Sequence, residues 1–320
     1  MEESDTELPA AAGKKKTTLS LVLGSGGARG MAHIGVIREL ERAGFEIASI
    51  AGCSMGAVVG GVYAAGKLDD FERWVTALTS RDMLRMLDLS WNGSGLVKGD
   101  RIIAALTELV GQRNIEDLPI PYTAVAADVK NEKEVWLNKG SLFDAIRASM
   151  SLPLFFTPVE YKYGHLLDGG ILNPVPIAPT FNDSTDFTVA VNLGGPKIAE
   201  LHEPVLAQEP AEESSALRET LDKFIDTLSA TFSDKEVGPV TSGFLAVADE
   251  AFDAMQSSIA RQKLASYPPD VLIEIARNRC GTWEFDRAQE MIELGQSKTR
   301  ECLSRVDVLG SVSGGVHGLG

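Results

Sequence analysis

Short unbroken apolar runs alternate along this chain with longer amphipathic stretches. Residues 17–23 (TTLSLVL) form a β-branched-rich apolar run closed by Gly24, as in a strand buried on both faces. A helix is expected from about Arg29 to Arg42, with Ile34, Ile37 and Leu40 on one face and Gly44 at its end. Ile47–Ala51 reads as the next buried strand, and it runs into a turn and an Ala/Val/Gly-rich helix. Strand and helix alternating in this way imply an α/β fold, a mainly parallel sheet covered by helices on both sides.

Further along, DDFERWVTALTS and DRIIAALTELV read as helices opened by aspartate. Strands are expected at 122–129 (YTAVAADV), 134–138 (EVWLN), 165–170 (HLLDGG), 187–193 (FTVAVNL) and 270–275 (DVLIEI). Helical patterns fill ALRETLDKFIDTLSATF, GFLAVADEAFDAMQSSIARQKLAS and FDRAQEMIELGQSKTRECLSRV. The expected organisation is a single domain over 17–308, between a flexible N-terminal tail (1–16) and a Gly-rich disordered tail (309–320). Residues 196–215, acidic and without aromatics, read as a mobile excursion from the surface.

Composition narrows the chemistry. The 320 residues are 44% hydrophobic, enough for a large core, and carry a net charge of −15. That charge excludes a nucleic-acid partner, whose phosphates need a basic footprint, and disfavours lasting attachment to an anionic bilayer. Three cysteines without paired spacing read as a reduced, cytoplasmic chain. Cys53 is expected as a small buried filler. The four histidines lack ligand spacing, so no metal is expected. No stretch approaches the roughly 18 consecutive apolar residues of a transmembrane helix. LSLVLG is too short for a signal-peptide core.

Three motifs carry candidate chemistry. In GCSMG, Gly52 and Gly56 stand two residues either side of Ser54, where strand gives way to helix. A serine on such a turn has a strained backbone and an outward hydroxyl, and its neighbours are small because strand and helix cross closely. Ser54 as a plain helix N-cap is the structural alternative. The second motif, Gly24–Gly30 (GSGGARG), fails as a dinucleotide fingerprint because Arg29 stands where glycine is needed. It fails as a phosphate P-loop because Met31 stands where lysine is needed. What remains is a nest of backbone N–H groups able to receive an oxyanion. Third, Asp168 ends an apolar run before Gly169 and Gly170, in a pair that also suits an ordinary turn.

Gly24–Gly30 with Arg29, the GCSMG turn, RASMSLPLFFTP (147–158) and DGG (168–170), in that order, resemble the patatin-like phospholipases, most closely a bacterial lysophospholipase-type branch. The likeness spans Leu19 to Leu193 and extends into the C-terminal helices. It implies a three-layer α/β/α fold with a nucleophile elbow and a serine acyl hydrolase that needs no cofactor. Ser54 would be the nucleophile and Asp168 its base. The N–H groups around Gly26, Gly27 and Ala28 would receive the oxyanion, with Arg29 fixing their loop. Cys53 stands where the family more often has Thr or Gly. A carboxylate near its ordinary pKa is a poor base, so burial of Asp168 is expected to raise it.

The rival mechanism is a histidine triad. The order Ser, Asp, His would require His202 or His317, both in tail-like stretches. His165 would face the other side of its strand, and His33 reads as a core or capping histidine. For the substrate, Met55, Phe155 and Phe156 beside the motifs, and Trp91 in the Leu/Met-rich stretch 81–97, are candidates to line an acyl site, with core packing as the alternative reading. The expected partner is a lipid or ester substrate met at most transiently at a membrane surface. Self-association into a homo-oligomer is left open, as is an acyltransferase or a non-catalytic lipid- or anion-binding module.

Overall fold

The computed structural model describes residues 16–79, 82, 86, 97–153, 155–162, 164–198 and 240–313. The leading run becomes β1 (Thr18–Leu23), and its side chains alternate between two cores. Leu19, Leu21 and Leu23 join the larger cluster, with Ile34, Ile37 and Leu40 of α1 (Ala32–Arg42) and Val58, Val59 and Val62 of α2 (Met55–Ala64). Val22 points the other way, onto Val175, Ile177, Ala190 and Ala260. Ala260 belongs to a long helix, α6 (Val240–Ser266), so both faces of the sheet are covered and the three-layer α/β/α architecture holds.

The strand order is β5-β6-β3-β2-β1-β7-β8, with β4 also paired to β3. β2 (Glu46–Cys53), β3 (Tyr122–Asp128), β7 (Phe187–Gly195) and β8 (Val271–Ala276) continue the parallel centre from β1. β4 (Lys133–Leu137), β5 (Val159–Tyr161) and β6 (Gly164–Asp168) form an antiparallel margin. The remaining helices are α3 (Leu68–Ala77), α4 (Asp100–Val110), α5 (Leu142–Ser149) and α7 (Ala288–Ser313). Among the described residues no helix is long and apolar enough to cross a membrane.

The topology positions the site. β1 and β2 are parallel neighbours, so the glycine-rich loop after Leu23 and the turn after Cys53 leave the sheet at the same edge. β6 approaches from the other side of β3: Cys53 pairs with Val125, and Asp168 pairs with Ala126. The two candidate catalytic residues therefore flank one alanine-rich strand.

Several expectations change. The helix expected from Arg29 begins as a 3-10 turn, Gly27–Met31, because Gly27 enters with a positive φ of 55° that regular α-helix does not allow. β5 and α5 carried no separate expectation. The C-terminal helix, expected to end at Val306, runs to Ser313. The excursion expected from 196 starts in contact with the fold, since Asn278 accepts from Ile198 N–H at 3.1 Å and donates to its carbonyl at 2.9 Å. The N-terminal residues 1–15, the rest of the excursion and the helix expected over ALRETLDKFIDTLSATF lie outside the described residues.

Candidate active site

Ser54 occupies the turn between β2 and α2 with φ 55° and ψ −123°, a backbone conformation strained for any residue with a side chain. The flanking glycines are demanded by backbone contact. A Cβ on Gly52 would lie 2.5 Å from the Gly56 carbonyl oxygen, and one on Gly56 would lie 2.1 Å from that of Leu23. The turn aims the Ser54 hydroxyl at Asp168, with Oγ 2.6 Å from Oδ2.

Asp168 is 1% exposed. Its Oδ1 accepts the N–H of Gly170 at 2.8 Å, which fixes the carboxylate against the DGG turn. The Cys53 thiol lies 3.9 Å from the same oxygen, and burial pushes that thiol well above its ordinary range, so it stays protonated filler. For Asp168 burial is the larger influence: it lifts the carboxyl from 3.8 to about 6 against the downward pull of the bonds from Ser54 and Gly170.

The glycine-rich loop lies beside this pair. Gly24 and Ser25 give their N–H groups to the carbonyls of Val191 and Pro174, and Ala28 gives its own to Thr282 at 2.9 Å. Ala28 is thus a correction to the expected donors, since a carbonyl 254 residues along the chain already holds its N–H. Gly26 and Gly27 remain, with no backbone acceptor for their N–H groups among the described residues. Arg29 is buried, donating to the Gly26 carbonyl (3.2 Å), the Arg277 carbonyl (2.7 Å) and both carboxylate oxygens of Asp253 (2.8 and 3.2 Å). It braces the loop from behind, and it offers no free fork to a substrate.

Among the described residues, neither His33 nor His165 hydrogen-bonds Ser54. His33 is buried with Nε2 2.8 Å from the Gly24 carbonyl, and burial drives its pKa down to about 4, so it is a neutral brace for the same loop. His165 is exposed, on the opposite side of β6 from Leu166 and Asp168. His202 and His317 lie outside the described residues.

The substrate candidates divide. Met55 packs on Gly30, where a Cβ would fall 2.1 Å from its Cγ. Phe155 is half-buried and meets Trp283 with ring centroids 4.4 Å apart. Phe156 is a core residue, 6% exposed, with the Arg147 guanidinium 5.6 Å from its ring centroid. Trp91 lies outside the described residues, as does most of 81–97. Unforeseen neighbours are Ser25 and Gln256, which close over the DGG turn: a Cβ on Gly170 would meet Gln256 Nε2 at 2.3 Å and Ser25 Oγ at 2.9 Å. Trp283, Asp253 and Gln256 sit in helical or loop stretches with no local signature. Among the described residues no cluster of His, Cys, Asp and Glu is arranged to hold a metal ion.

Comparison with known proteins assigns the chain to a family. The patatin-like phospholipase family profile matches residues 21–181. An uncharacterized NTE family protein of Mycobacterium tuberculosis is 38% identical over 92% of this chain and 94% of its own length. Patatin-like phospholipase domain-containing protein 6 of Homo sapiens is 34% identical, over 55% of this chain and 13% of its own. The neuropathy target esterase sws of Drosophila melanogaster is 32% identical over the same shares. The chain belongs to the patatin-like phospholipase family.

Proposed function

We propose that the protein is a serine-dependent lipid acyl ester hydrolase working through a Ser54–Asp168 dyad. The observation that carries this reading is the 2.6 Å contact from the Ser54 hydroxyl to the buried Asp168 carboxylate. Ser54 Oγ attacks the acyl carbonyl as its proton passes to Asp168. The oxyanion that forms is received by the N–H groups of Gly26 and Gly27, each worth roughly 3 to 4 kcal/mol in the transition state. As the intermediate collapses, Asp168 returns the proton to the departing alcohol and leaves the acyl group on Ser54. Water then attacks the acyl-serine with Asp168 again as base, and the free acid departs. With its carboxyl near 6, Asp168 is a far better base at neutral pH than an ordinary aspartate.

The names of relatives, phospholipase and esterase, support a lipid ester as the substrate class. Lysophospholipids, phospholipids and simple carboxyl esters are the candidates, with the half-buried Phe155 and Trp283 as the apolar pair beside the site.

The test is hydrolysis of a panel of short- and long-chain acyl esters and lysophospholipids. Turnover should vanish in Ser54→Ala while lipid binding persists. Unchanged function in Ser54→Ala would point to a non-catalytic lipid-binding module. Acyl transfer to an added alcohol in preference to water would point to an acyltransferase.

A further inference from the structure

Ser149 is the last residue of α5, wholly buried, and the proposed chemistry does not use it. Both partners of its hydroxyl belong to the frame of the dyad. It donates to the Val125 carbonyl at 2.6 Å and accepts the N–H of Ser54 at 2.9 Å. The directions are fixed, since a carbonyl only accepts and an amide N–H only donates.

The place of this relay is informative. Val125 is the register partner of Cys53, the last paired residue of the β2–β3 ladder. The Val125 carbonyl and the N–H one residue beyond Cys53 are the groups that another rung of parallel ladder would join. At Ser54 the chain lifts out of the sheet, and the Ser149 hydroxyl spans the gap where that rung would be. Ser54 holds φ 55° and ψ −123°, and such a conformation persists only where the surroundings over-determine it. Its own side chain is committed to Asp168, so the Ser149 bond is what ties its backbone to the sheet.

The same stretch grips the other half of the dyad. The Ser151 carbonyl accepts the N–H of Asp168 at 2.9 Å. The Ser151 hydroxyl is held by the Arg147 guanidinium at 2.6 Å and donates to the Arg147 carbonyl at 2.8 Å. One short segment thus fixes both catalytic backbones from behind.

We propose that Ser149 is a positioning residue that sets the direction of the Ser54 hydroxyl by completing the broken rung, a proposal that rests on Ser54 being the nucleophile. The test compares wild type, Ser149→Ala, Ser149→Thr, Ser149→Cys and Ser54→Ala on p-nitrophenyl butyrate, with folding checked by circular dichroism. Ser149→Ala should lower kcat by between about tenfold and a hundredfold, with KM within about twofold. Any shift of the acid limb near pH 6 should be upward, because the Ser54 bond that a misaimed hydroxyl loses is one that lowers the Asp168 carboxyl. Ser149→Thr keeps both hydrogen bonds and should bring kcat back to within about threefold of wild type. Should the alanine variant not fold, the cysteine variant takes its place, with kcat expected between those of the threonine variant and Ser54→Ala. Wild-type kcat in folded Ser149→Ala or Ser149→Cys, or a folded Ser149→Thr showing no rescue, overturns the proposal. Equal turnover in wild type and Ser54→Ala removes the nucleophile itself, and the proposal falls with it.

Discussion

In the proposed mechanism Asp168 must be ionised to take the serine proton, yet it is buried where ionisation is disfavoured. The consequence for activity has a definite sign: kcat/KM should fall as pH drops through about 6, with one proton bound. A pH–rate profile whose acid limb sits near 4 would contradict it. The consequence for stability runs the other way. A carboxyl whose folded-state pKa lies above its unfolded value binds a proton more tightly when folded. Folding is then disfavoured at pH above the folded value, and the penalty disappears as pH falls below the unfolded one. A rise from 3.8 to about 6 corresponds to at most about 3 kcal/mol at neutral pH. Asp168→Asn should therefore lose turnover but raise Tm at pH 7, with the gain shrinking as pH falls through about 6 and gone below about 3.8. Thermal melts of both proteins across pH check this, and a gain that grows with acid would refute it. The motif residues were readable because glycine spacing and an Asp-Gly-Gly end are local features. Gln256 was not, because it reaches the site from a distant segment and a single glutamine carries no signature; Ser149 lay inside the 147–158 stretch, but its bond to Ser54 depends on tertiary contact.

Two junctions between elements hold the loop and the turn. The first is the crossing of α2 over the end of β1, where Gly56 meets the Leu23 carbonyl. Gly56→Ala should cost about 3 kcal/mol or more, read as a fall in the denaturation midpoint, because backbone and not a flexible side chain must yield. The second is the clasp of Arg29 by Asp253 on α6. Asp253 is 31% exposed on its side chain, so Asp253→Ala should cost only about 1 to 2 kcal/mol. Loosening the carbonyl of Gly26 should nevertheless lower kcat about tenfold or more. Loss of stability without any change in kcat would show that the clasp serves packing alone. The elements themselves were largely visible, since β1, β2, β3 and β7 are predominantly apolar runs and α1 shows clean helical spacing. The 3-10 entry into α1 was hidden, because Gly27 adopts its positive φ in answer to Thr282, which reaches it only through tertiary contact.

At the scale of the whole molecule, the strand order β6-β3-β2-β1 brings three distant motifs together. Alternation of strand and helix implied the parallel sheet and its two covered faces. It did not reveal the antiparallel margin that turns Asp168 inward, where β5 has only three residues. Net charge acts at this scale as well. A chain of −15 should act more slowly on anionic than on zwitterionic vesicles at low ionic strength, and added salt should narrow the gap. Faster action on the anionic surface would show that local contacts override the overall field. The central claim, that Asp168 alone activates Ser54, is tested most directly by mass spectrometry after exposure to a fluorophosphonate. One adduct is expected, on Ser54 of the wild type, retained in His33→Ala and lost in folded Asp168→Asn. An adduct at another residue, or labelling of Ser54 that persists in Asp168→Asn, would contradict the account.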